Sequence, residues 1–231
     1  MPPTARPIPT FIADAPLEGK PYGRWEERLV EEFAVACEPL ADEAGAPLDR
    51  EAIRWFPERG WGGRVYLPVT ARAQGPEGSI EFFGQISFAR PEEGEPEDVR
   101  ANAEFTDVTA DDNPDWRIDL NDDVVGRWRT DGDRGGDVTL VWGLPLVRGA
   151  VAATAEIADE VVDQVAIVEG RFTLVAVDAL RGFGEDLYLE VKLWDRHLRE
   201  IAAESLYEEA EEEEEDGEEA EPEEAGEPES A

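Results

Sequence analysis

Between Arg24 and Glu38 the apolar residues Trp25, Leu29, Phe33 and Cys37 recur every fourth position, with Leu40 just beyond. That period lays one stripe along a helix. Glu26 and Glu27 complement the positive end of its dipole, and Pro39 should end or kink it. Cys37 lies on the stripe, which makes it a buried structural thiol rather than a nucleophile.

From Gly63 onward the period falls to two. Val65, Leu67, Val69 and Ala71 alternate with Tyr66, Thr70 and Arg72, then Ile80, Phe82, Ile86 and Phe88 repeat the pattern after a turn at Gly75-Pro76-Glu77-Gly78. These segments predict a hairpin of half-buried strands. Further strands are expected over Ala101–Val108, Trp116–Leu120, Val124–Thr130, Val138–Trp142, Ala150–Ile157, Val165–Val168, Phe172–Val177 and Leu187–Trp194. Glu200–Tyr207 would suit a helix by composition, but it reads as a strand returning from a loop at Asp195–Arg199. About ten short strands without intervening helices predict a mainly β fold, an antiparallel sandwich or barrel preceded by one N-terminal helix.

The chain ends differ from this middle. Pro2, Pro3, Pro7, Pro9 and Pro16 make residues 1–20 a proline-rich arm, and residues 21–207 form the globular domain. Residues 208–231 hold 15 acidic side chains and no Lys or Arg. Their mutual repulsion and lack of apolar surface predict a disordered acidic tail. Within the domain, Gly63-Arg64-Val65-Tyr66-Leu67 and Gly170-Arg171-Phe172-Thr173-Leu174 match at an offset of 107 residues, as do Gly75 and Gly182. A duplicated hairpin over 63–90 and 170–196 would place a shared cleft on a pseudo-twofold axis.

Charge narrows the partners. Of 57 acidic residues, 42 lie outside the tail against 21 basic ones, so the body alone is near −21. This field disfavours nucleic acid and anionic membrane and favours cations or a basic protein surface. Only Lys20 and Lys192 are lysines, a usage that fits a salt-rich cytoplasm or a GC-rich genome as well as a binding role. A single cysteine excludes an intrachain disulfide and a Cys-based zinc cluster. With no secretory leader pattern at Met1–Phe11 and no apolar run near the ~20 residues of a membrane span, a cytoplasmic protein is expected.

Two Asp-rich segments offer oxygen ligands to Ca²⁺ or Mg²⁺. Asp131, Asp133 and Asp137 with Gly136 partly imitate a calcium loop, although Gly135 and Trp142 stand where ligands are needed and a glycine-rich turn explains the same residues. The second segment runs from Asp107 to Asp123 and includes Asp111, Asp112 and Asp115. No cofactor is predicted otherwise. His197 is the only histidine and sits in an apparent loop, no serine occupies a nucleophile elbow, and Gly60-Trp61-Gly62-Gly63-Arg64 lacks the helix and lysine of a phosphate loop. Trp61 and Trp116, flanked by loop residues, are the tryptophans expected to be exposed for binding.

These features lean away from an enzyme. They favour a noncatalytic binding or interaction protein whose tail serves solubility or contact with a basic partner. A metal-dependent or carboxylate-based enzyme using the Asp-rich loops is the alternative. A third reading is a barrel holding a small apolar ligand among Phe82, Val141, Leu174 and Leu189.

Overall fold

A computed structural model of the chain describes residues 25–76, 78–89, 95–129, 135–158, 160–177 and 189–206. The proline-rich arm, the acidic tail and Asp131 and Asp133 lie outside the described residues. Helix α1 spans Glu26–Cys37, and its stripe of Leu29, Phe33 and Cys37 is buried. Pro39 ends it through a 3-10 turn at Glu38–Leu40, followed by the short α2 (Ala41–Ala44), which stops at Gly45 in the left-handed conformation. Burial pushes the Cys37 thiol up to about 12, as befits a structural residue.

Among the described residues twelve strands follow, all paired antiparallel. They are β1 (Ile53–Trp55), β2 (Arg59–Trp61), β3 (Arg64–Gln74), β4 (Ser79–Ala89), β5 (Glu97–Thr106), β6 (Ile118–Arg129), β7 (Gly135–Pro145), β8 (Ala150–Ile157), β9 (Glu160–Ala166), β10 (Phe172–Val177), β11 (Leu189–Asp195) and β12 (Glu200–Ser205). The first sheet has the order β1-β3-β4-β5, with β2 on the same edge of β3 as β1. The second is β10-β7-β6 and the third β12-β11-β8-β9. Among the described residues no sheet closes into a barrel, so the sandwich reading holds and the barrel does not. Phe82 is buried beneath α1, whereas Val141, Leu174 and Leu189 are buried in a separate core, so the four do not line one lumen.

The layers follow from which strand faces carry apolar residues. On β3 and β4, Leu67, Val69, Ile80, Phe82, Ile86 and Phe88 pack against α1. The opposite face of the first sheet supplies Tyr66 and Phe83 to a smaller core with Leu140, Trp142, Leu144 and Val175 of the second sheet. The other face of the second sheet gives Val141, Phe172, Leu174 and Ala176 to a core shared with Ala153, Ala155, Val191 and Leu193 of the third. Strand β7 is thus buried on both faces, which explains its unbroken run Val138-Thr139-Leu140-Val141-Trp142. Polar clasps join the layers. Arg59 of β2 donates to Asp163 Oδ2 of β9 at 2.6 Å, and the same oxygen accepts the Val175 N–H of β10 at 2.8 Å.

Two expectations are corrected. Trp116–Leu120 and Val124–Thr130 are not separate strands: residues 118–129 form one strand bulged between Val124 and Gly126, in which Asn121, Asp122 and Asp123 pair with Trp142, Val141 and Leu140. The 107-residue match is not a repeated hairpin among the described residues. β3 and β4 pair with each other, but β10 pairs with β7 while β11 pairs with β8 and β12.

Candidate functional site

The seam between the first and second sheets is where polar residues are buried. Strand alternation turns Glu81, Phe83, Gln85 and Ser87 of β4 away from α1. Across from them β6 presents Asp119, Asn121 and Asp123, which pair in register with Leu144, Trp142 and Leu140. Gln85 and Asn102 donate to Asp123 Oδ2 at 3.5 and 2.9 Å. Below that contact the two sheets part around an open cleft of about 240 Å³. Glu81 and Phe83 form one wall, Asp119–Asp122 and Trp116 the other, and Thr106 with Val108–Ala110 the rim.

Position 143 determines how closely β6 lies to β7 at the cleft floor. A Cβ on Gly143 would stand 2.4 Å from the Asp119 carbonyl oxygen, so a side chain there would displace the backbone that carries Asp119.

One guanidinium serves three carboxylates. Arg72, projecting from β3 with 42% of its side chain exposed, reaches Asp111 at 2.7 Å, Glu81 at 3.4 Å and Asp119 at 3.7 Å. Its short contact goes to the exposed Asp111 of the rim, and the two buried carboxylates receive the long ones. Burial drives the Glu81 carboxyl up to about 7; the neighbouring Asp119 adds to the rise, while Arg72 and a hydrogen bond with Asn121 oppose it. Burial also raises Asp119 above the usual carboxylate range, against the pull of Arg72. The Asp119 side chain is 10% exposed and makes no hydrogen bond among the described residues, its only partner being the Arg72 guanidinium at 3.7 Å.

The sequence-predicted residues divide. Trp116 is half-buried and lines the cleft. Trp61 is not exposed for binding; it packs on the core between the first two sheets, with its ring over Gly126, where a Cβ would come within 2.4 Å. Asp111 holds Arg72, and Asp112 accepts the Thr109 hydroxyl at 3.1 Å to build the rim loop. Asp115 is exposed. Asp137 pairs with Arg127 at 2.7 Å, remote in sequence from the rim. Among the described residues no group of three or more His, Cys, Asp or Glu side chains is arranged to hold a metal ion, and Arg72 stands among the carboxylates as their cation. His197 is exposed in the turn between β11 and β12, where Asp195 Oδ1 accepts its backbone N–H at 2.7 Å.

Sequence alone assigns no site role to Glu81 or Arg72, and offers Asn121 only as an oxygen donor of the Asp-rich segment. The available signal was Glu81 itself, an acid set between Ile80 and Phe82 in an otherwise apolar stretch. A second buried polar cluster lies on the outer face of the third sheet. There Lys192 Nζ meets Glu156 and Glu190 at 2.5 Å each, and Thr154 bridges Glu156 to the Trp194 indole. Its charges are paired at shorter range than those of Asp119 and Arg72.

No helix among the described residues is long and apolar enough to cross a membrane. Comparison with protein families, curated proteins and solved structures finds no match for this chain.

Proposed function

We propose that this protein is a noncatalytic binding protein and that the cleft between its first two sheets is where the ligand sits. One observation carries the reading: the first two sheets part around an open cavity whose wall includes the nine-tenths buried Asp119 carboxylate, held by Arg72 only at 3.7 Å. A ligand donor at closer range would give this carboxylate a charge-assisted hydrogen bond that Arg72 does not make. The cavity volume of about 240 Å³ lies below the ~300–1,000 Å³ typical of drug-sized ligands, so the occupant is one small molecule or one side chain. The acidic body and tail draw positively charged partners toward it.

The test is a titration followed by ¹H–¹⁵N correlation spectra, using a panel of small amines, carboxylates, alcohols and sugars. A saturable shift of the Trp116 indole resonance, absent when Val108→Trp covers the rim, is expected for at least one class. If no class moves that resonance, the reading fails.

A second reading draws on Glu81, whose carboxyl is held at about 7 beside a second carboxylate, as in a general acid–base pair. Turnover of chromogenic glycosides that is lost in both Glu81→Gln and Asp119→Asn would favour it.

A further inference from the structure

We propose that β5 is the edge through which two copies of this chain pair, antiparallel and about a twofold axis at Asn102, so that the first sheet of one copy continues into that of the other. The first reason is that this edge is left open. Among the described residues β5 ends the first sheet, and its ten residues, Glu97–Thr106, contain no proline or glycine. A long unpaired strand presents a row of backbone N–H and C=O groups that another strand can take up. The other edges are blunted. β1 and β2 have three residues each, and β6 is bulged between Val124 and Gly126. The Ile201 carbonyl of β12 accepts from Arg117, and β9 lies beside β10, whose Val175 N–H donates to Asp163.

The second reason is that the residue order along β5 complements itself. An antiparallel pair with Asn102 opposite its own copy sets Arg100 against Glu104, Ala101 against Ala103 and Val99 against Phe105, each twice by symmetry. Arg100, Asn102 and Glu104 share the exposed phase of the strand, and Val99, Ala101, Ala103 and Phe105 the half-buried one. Opposite charges therefore meet on one face and apolar side chains on the other, and both kinds of cross-strand pair stabilise a sheet. The register is specific. Moving the axis to Ala101 sets Asp98 against Glu104, two like charges, and moving it to Ala103 leaves Arg100 opposite Thr106. Within one copy Glu104 is exposed and has no ion-pair partner among the described residues. The Arg100 side chain is 68% exposed, with Asp98 of its own strand at 2.9 Å.

The third reason is the unfinished apolar phase. Val99, Ala101, Ala103 and Phe105 pack on the core beneath α1 yet stay half-buried, whereas Phe82, Ile86 and Phe88 of the neighbouring β4 are fully buried. The core is thus complete over the inner strand and leaves part of β5 open. A second β5 laid alongside would bury that remainder against the same residues of its copy. Pairing about a twofold axis closes after two copies, because the opposite edge of the first sheet offers only the three-residue β1 and β2. Net charge opposes the association: each copy carries −36, so the pair holds only where salt screens one body from the other. One strand pairing is also a small interface, of the transient class.

Sedimentation equilibrium of the full chain in about 0.5 M salt is expected to show a species of twice the 25.6 kDa of one copy, with a dissociation constant on the order of 10 μM that rises at least about tenfold in about 0.01 M salt. Glu104→Arg sets two cations opposite one another and is expected to weaken the dimer at least about tenfold, although it makes each copy less negative. Arg100→Glu/Glu104→Arg exchanges the two charges and is expected to return the constant to within about threefold of the parent. Cross-linking with oxidised glutathione reads the register. Asn102→Cys faces its own copy at a Cα separation of about 4.5–5.5 Å, within reach of a disulfide, and should be trapped as a dimer. Glu104→Cys stands roughly 13 Å from its own copy and should not. Cys37 is buried and takes no part. Amide spectra of each variant that match the parent away from β5 show that it folds. A chain that stays monomeric at about 200 μM, a charge exchange that does not recover the dimer, or Glu104→Cys cross-linking as readily as Asn102→Cys overturns the proposal.

Discussion

Toward the third sheet, the second sheet buries Val141, Phe172, Leu174 and Ala176 against Ala153, Ala155, Val191 and Leu193, an apolar core joined by the ion-paired Asp163, which accepts from Arg59 and the Val175 N–H. Toward the first sheet, the same strands bury Leu140 and Trp142 but add Asp119, Asn121 and Asp123 opposite Glu81 and Gln85, and the seam opens into a cleft. Both seams join antiparallel sheets. The difference lies in what the chain tolerates in each. A dry seam gains free energy from every buried methylene, whereas buried carboxylates cost free energy unless paired. The seam with the third sheet gains from its apolar burial, whereas the seam with the first carries buried carboxylates beside Arg72.

The largest effect that separates the seams is expected in the dry one. Leu174 is fully buried there, and Leu174→Ala should lower unfolding free energy by about 2–5 kcal/mol in denaturant titrations while leaving the Trp116 resonance in place. A change below 1 kcal/mol would mean the seam is looser than its packing suggests. Next comes the apolar part of the polar seam. Gly126→Ala drives a methyl into the Trp61 ring, and overpacking of this kind should cost ~1–3 kcal/mol and shift the Trp61 indole resonance before others.

A third effect depends on pH and belongs to the polar seam alone. Glu81 binds its proton more tightly in the folded chain than in the unfolded one, because its carboxyl rises from the ordinary 4.5 to about 7. The folded state therefore holds more protons between those two values, so this group's contribution is intact below the lower one and is lost as pH rises through the upper one. A shift of that size corresponds to roughly 3 kcal/mol at most. Glu81→Gln should flatten the fall in stability between mildly acidic and mildly alkaline pH. An unchanged pH profile would contradict the burial assigned to Glu81. The smallest effect is at the rim: Asp111→Asn removes an ion pair between half-exposed side chains and should cost no more than about 1 kcal/mol, with Arg72 turning further toward Glu81 and Asp119.

The contrast between seams also explains what could be read from sequence. The dry core was legible, because Val138–Trp142, apolar except at Thr139, marks a strand buried on both faces and the alternation in residues 172–177 and 189–195 marks inward faces. The helix was legible from its four-residue stripe, down to its end at Pro39. The polar seam was not. Glu81, Gln85 and Ser87 occupy the polar phase of an alternating strand, which by pattern alone faces water, and only a second sheet laid over that phase buries them. Asn121-Asp122-Asp123 resembles a loop for the same reason, so one strand looked like two. Trp61 looked loop-borne because β2 has three residues and its partner surface, Gly126, comes from a strand 65 positions later. Which sheet β10 and β11 join depends on long-range pairing that leaves no local mark on the chain.

The central claim is that the buried carboxylates are kept for a ligand at the expense of stability. Equilibrium unfolding of Glu81→Met/Asp119→Leu at mildly alkaline pH tests it most directly. Replacing buried charges by apolar groups of similar volume is often neutral or stabilising by about 1–4 kcal/mol. The expected result is a variant at least as stable as the parent in which the Trp116 indole resonance no longer shifts with any ligand of the panel. A variant that loses stability would contradict it, showing that Glu81 and Asp119 hold the two sheets together and that the polar seam is structural.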